Sequence, residues 1–146
     1  MDSETIRAKL TTPALLAAFD SFDIVTQSIV LNYEQLARGH LTPLVDQFVK
    51  SKGNKGKDAL IAHCTTLNAR LTNRTYLTTE RATGADVAVF ASLAKLIDYS
   101  STVDHLPHFV RWFNTLGVKL GPKYTLVYQK RHVRSDTNTL SLILNL

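Results

Sequence analysis

The chain has 146 residues, a net charge of +5 and one cysteine, Cys64. That length suits a single domain able to bury its own core, and a lone cysteine excludes an internal disulfide and fits a reducing compartment. No apolar run is long enough to span a bilayer, and the start, MDSETIRAKL, lacks a signal peptide's apolar stretch. The expectation is a cytoplasmic protein with no membrane contact.

Seventeen basic residues stand against twelve acidic ones. This mild excess permits contact with RNA or an acidic partner without demonstrating either.

Up to Lys50 the pattern is mostly helical. Only the first dozen residues, MDSETIRAKLTT, have room to be strand. Leu15, Phe19, Phe22, Val25, Ile29 and Tyr33 recur at helical spacing. Pro13 suits a first helical turn. Gly39 is expected to stop the second helix, and Thr42-Pro43 to start the third. KSKGNKGK then places Lys50, Lys52, Lys55 and Lys57 in a glycine-rich, solvated loop.

The stretch from Asp58 puts Leu60, Cys64, Leu67 and Leu71 on one helix face. Cys64 therefore reads as a small core residue, since nothing around it lowers its pKa. Thr83-Gly84-Ala85-Asp86 has capping-box spacing. Behind it come Val87, Ala88, Val89, Phe90, Ala91, Leu93 and Ala94, apolar on all sides. Such a helix belongs at the centre of a helical domain. Its buried start needs a cap, so Thr83 and Asp86 read as structural rather than catalytic. Farther on, Pro107 opens and Gly117 closes a helix whose Phe109, Trp112, Phe113 and Leu116 form an aromatic seam.

In the tail the period changes to two. Tyr124, Leu126 and Tyr128 alternate, as do Leu140, Leu142, Leu144 and Leu146, with a turn-like SDTN between. A short β-hairpin or an extended segment fits this pattern.

Several wordings carry a resemblance. LNARLTNRTYLTTERATGADVAVFASL, followed by HFVRWFNTLG, resembles the C-terminal helical domain of the glutathione S-transferase fold. The likeness is nearest to the branch attached to aminoacyl-tRNA synthetases and to accessory proteins of multi-synthetase complexes. It is strongest over residues 58–120. It implies a mainly α, bundle-like domain over 1–120, followed by a basic, alternating tail over 121–146. The thioredoxin-like N-terminal half of a full transferase is absent or degenerate, so no glutathione-activating residue, cofactor or catalytic role is expected. In that branch the arginine matching Arg111 joins helix-to-helix contacts between two such domains. Arg111 shares a helix face with His108 and Thr115, and these three are the expected partner-binding residues.

The function implied is a non-catalytic module docking onto similar domains of synthetases or their cofactors. A subunit of a translation elongation factor complex, a degenerate glutathione transferase and a homodimer are the competing readings. Weak tRNA contact is assigned to Lys50, Lys52, Lys55 and Lys57 and to Lys130, Arg131 and Arg134 of KRHVR. His105 and His108 lie three apart, but no third ligand is placed by the sequence, so no metal is expected.

Overall fold

The computed structural model describes residues 2–129. It is mainly helical, and no strand occurs among the described residues. The hairpin expected in the tail would have begun with Tyr124, Leu126 and Tyr128. That stretch is a 3-10 turn followed by irregular chain, and the other half, from Leu140, lies outside the described residues.

Residues 3–10 are helical, not extended: α1 (Ser3–Leu10) starts on the Asp2 carboxylate, which accepts from the Thr5 N–H. The aspartate cap settles for helix the one stretch that had room to be strand. Ile6 and Leu10 then bury one edge of the helix. α2 (Pro13–Ser21) has Thr12 as its cap and Pro13 in its first turn. α3 (Ile24–Leu36) is capped by Asp23.

Gly39 does not stop α3. A π-helical turn, Ala37–Leu41, carries the chain directly into α4 (Thr42–Lys50). Ala37 and Leu41 are fully buried, whereas Gly39 is exposed. A glycine costs a helix about 1 kcal/mol, less than burying two apolar side chains returns. The turn is also held from outside. Ser92 Oγ donates to the Ala37 carbonyl at 3.2 Å and lies 2.7 Å from Thr42 Oγ1.

α5 (Lys57–Arg70) buries Leu60, Cys64 and Leu67. A loop leads to α6 (Gly84–Leu93), in which every residue from Ala85 to Leu93 is buried. α6 is the axis of the domain, packed against α1, α3, α4 and α7. A kinked 3-10 segment, Ala94–Thr102, follows, with Tyr99 edge-on to Phe48. α7 (Pro107–Gly117) turns Phe109, Trp112, Phe113 and Leu116 inward. Phe90 of α6 meets Phe113 and Trp112 with ring centroids 4.7 and 6.4 Å away. Tilted and edge-on geometries of this kind add to the burial energy.

The stretch after residue 120 does not leave the domain at once. Asn114 donates to the Leu126 carbonyl at 2.8 Å and accepts from the Leu126 N–H at 2.7 Å. Tyr124 and Leu126 are buried.

Candidate functional site

The start of α6 is the most densely bonded polar point in the described core. The Thr83 and Asp86 side chains each reach the other's backbone, forming a capping box. The Asp86 carboxylate also accepts from the Leu77 N–H at 2.9 Å and from Trp112 Nε1 at 2.8 Å. It thus joins the loop before α6, the cap itself and α7. Burial pushes the Asp86 carboxyl above its ordinary value, while the bonds from Leu77, Thr83 and Trp112 pull against that rise. Among the described residues no second titratable group touches the carboxylate, and its bonds go to fixed structural donors. The arrangement positions helices.

Arg111, His108 and Thr115 are brought together on the outer side of α7. Arg111 is exposed, yet its guanidinium is engaged. Nη2 donates to the carbonyls of Leu71 and Arg74 at 2.8 and 2.6 Å, and Nη1 lies 3.3 Å from His108 Nδ1. The Thr115 hydroxyl donates back to the Arg111 carbonyl at 2.8 Å. Arg111 therefore clamps the C-terminal end of α5 to α7. From the other side, Asn68 Oδ1 of α5 accepts from the His108 and Phe109 N–H groups at 2.9 and 3.0 Å. It caps α7 in place of a local residue, because Leu106 at the cap position offers no side-chain acceptor. Neither Asn68 nor Asn114 was identified from sequence. Asn68 stands within the quoted wording, but its partner is forty residues away, and spacing carries no signal for that.

Lys50, Lys52, Lys55 and Lys57 are all exposed around the α4–α5 loop. The loop is shaped by left-handed backbone at Lys52, Gly53 and Gly56 and by a bond from the Lys55 N–H to Ser51 Oγ. Lys130, Arg131 and Arg134 lie outside the described residues. Cys64 is fully buried, and desolvation pushes its thiol up to about 12. Among the described residues no cluster of three His, Cys, Asp or Glu side chains can hold a metal, and no helix is long and apolar enough to cross a membrane.

Two surface features remain. α2 buries none of its residues, and Leu16, Ile24, Val25 and Leu31 on α2 and α3 are more than half exposed. No lysine or arginine occurs between Lys9 and Arg38, so the charged side chains of α2 and α3 themselves are all carboxylates. Beside it, Leu10, Leu15, Phe22, Val87 and Leu116 line an open apolar hollow of about 480 Å³.

With this geometry in place, comparison decides the family. The family model described as nuclear-export cofactor Arc1p matches residues 44–120, more than half of the chain. The chain belongs to this family. The match runs from α4 through α7 and includes the Asp86 hub, Asn68 and Arg111. It ties the domain to cofactors of tRNA synthetases. No curated protein and no solved structure matches the chain.

Proposed function

We propose that this chain is a non-catalytic adaptor that docks onto glutathione-transferase-like helical domains of aminoacyl-tRNA synthetases or their cofactors, helping to assemble a cytoplasmic synthetase complex. Membership of the Arc1p family carries this reading. The structure's support is of a different kind. The buried polar network around Asp86 holds helices together, and the surface offers exposed apolar side chains on α2 and α3. Contiguous exposed apolar surface is characteristic of interaction sites.

The partner contact proposed for α7 involves Arg111, His108 and Thr115. Arg111 already holds two backbone carbonyls, so the face is rigid before a partner arrives, and a rigid face loses less entropy on docking. Charged groups there select the partner more than they add affinity. Lys50, Lys52, Lys55 and Lys57 add weak, salt-sensitive tRNA contact, and docking raises the local concentration of tRNA-binding partners around the synthetase.

Native co-purification with tagged full-length chain tests this. Synthetases are expected with the wild type and not with Arg111→Glu at moderate salt. Because Arg111 also clamps the α5 end, thermal melting must show that the variant remains folded. Loss of synthetases from a folded variant supports the α7 face. Persistence moves docking to another surface, and a wild-type bait without synthetases overturns the adaptor reading.

A further inference from the structure

Segment 69–80, which leaves α5 and runs toward α6, lines an open concavity of about 630 Å³. Among the described residues of that lining, Ala69 is the only apolar one. Arg70 fixes its guanidinium by donating Nε to the Leu77 carbonyl at 3.0 Å, and Arg74 is exposed beside it. Thr72, Thr75 and Thr78 contribute hydroxyls, and Thr78 Oγ1 is buried without a hydrogen-bond partner among the described residues. Glu80 is the single carboxylate of the lining.

The end of a helix normally repels an anion, because its last carbonyls are negative. Here Arg111 satisfies the carbonyls of Leu71 and Arg74 and places a third guanidinium behind the turn. Glu4 pairs with Arg7 and Asp46 with Lys95. Among the described residues, none of the three arginines is paired with a carboxylate.

We propose that this concavity binds the phosphodiester backbone of RNA. Guanidinium forks and hydroxyls are the side chains that hold phosphate oxygens, and the volume suits a nucleotide-sized group. A protein partner is disfavoured, since the centre of such an interface is apolar and aromatic and this lining has only Ala69. The absence of an aromatic platform in the lining also removes base stacking, so binding is indifferent to sequence. The lysine loop lies at the other end of α5, on the order of 20 Å away along the helix. One RNA strand can touch both. This site does not depend on synthetase docking, and its test uses the full chain alone.

Fluorescence anisotropy with labelled RNA of about a dozen nucleotides is the test, and the salt dependence of binding is its central readout. U-rich and A-rich strands are expected to bind equally. Arg74→Gln, which removes no hydrogen bond to the fold, is expected to weaken binding about three- to tenfold and to reduce the slope of log K on log salt by about 0.7. Arg74→Lys should retain the slope. Three results overturn the proposal: no RNA binding by the wild type at low salt; an unchanged slope in folded Arg74→Gln; or an acidic peptide displacing RNA at lower concentration than unlabelled RNA does. Inorganic phosphate competing as well as RNA also overturns it, in favour of a free-phosphate site.

Discussion

Trp112 of α7 donates its indole N–H to Asp86 of α6 at 2.8 Å, and both side chains are fully buried. The same carboxylate accepts from the backbone at Leu77 and Thr83. Removing it leaves three donors unpaired in a place water does not reach. Each buried orphan costs about 1–3 kcal/mol, and neighbours do not add fully. Asp86→Ala is therefore expected to lose about 3–5 kcal/mol, a large share of a typical domain's stability. Trp112→Phe removes one donor and some volume and should cost about 1–3 kcal/mol. Urea unfolding of the two variants checks the order. Equal losses would mean that packing at Trp112, not the hub, dominates.

Asp86 also sets a pH dependence. Its folded carboxyl titrates above the ordinary 3.8, first because of burial. Between the unfolded and folded values, the native state holds a proton that the unfolded state has lost. Stability must then fall as pH rises through that window. The group's contribution is complete below 3.8 and lost once pH passes the raised folded value. Compared with Asp86→Asn, which cannot titrate, the wild type should lose relative stability with increasing pH across the acid range. Urea midpoints for both proteins, measured from acid to neutral pH, give the sign. A difference that grows with pH would show that the hydrogen bonds to Asp86 outweigh burial.

The central helix and its cap are legible in the sequence because both signals are local. Thr83 and Asp86 are three residues apart, and the apolar run follows directly. The aromatic face of α7 is legible for the same reason. What joins these pieces is not. Asp86 finds Trp112 twenty-six residues away, Asn68 finds α7 across forty, and Arg111 turns back to α5. Arg111 shows the consequence: helical spacing places it outside, correctly, but only the fold reveals that its guanidinium is already bonded. Gly39 illustrates the converse, a local stop signal overridden by burial on both sides of it. The candidate docking face was thus visible as a set of residues, while the polar concavity beside it was not visible at all.

Cys64 provides a direct check on the core. Its thiol is fully buried and pushed up to about 12, so almost no thiolate exists near neutral pH. Iodoacetamide at mildly alkaline pH should leave the folded chain unmodified and alkylate it readily in urea, as read by mass spectrometry. Rapid labelling of the native protein would mean that α5 opens locally far more often than global unfolding allows.

The Asn68 cap separates hydrogen bonding from charge. Asn68→Ala leaves the His108 and Phe109 N–H groups without their acceptor and should cost about 1–2 kcal/mol. Asn68→Asp keeps both acceptor geometries and places a negative charge at the N-terminus of α7, which the helix dipole favours by about 0.3–1 kcal/mol. The aspartate variant should therefore match or exceed the wild type in thermal melting at neutral pH. A loss as large as that of Asn68→Ala would mean that the neutral amide's own donors matter.

Gly117 tests how firmly the segment after α7 is held. Alanine in place of glycine favours a helix by up to about 1 kcal/mol. At this position, however, an added Cβ would collide with the carbonyl oxygen of Tyr124, a backbone atom that cannot rotate away. The segment is anchored two residues on, where Asn114 grips both backbone groups of Leu126. Moving Tyr124 aside strains that grip and uncovers a buried ring. Overpacking typically costs about 1–3 kcal/mol, which exceeds the gain in propensity. Gly117→Ala should thus be less stable in urea, and trypsin should cut faster at the exposed Lys119 and Lys123. A variant more stable than the wild type, with unchanged proteolysis, would show that the 122–126 segment yields without cost and contributes little to the fold.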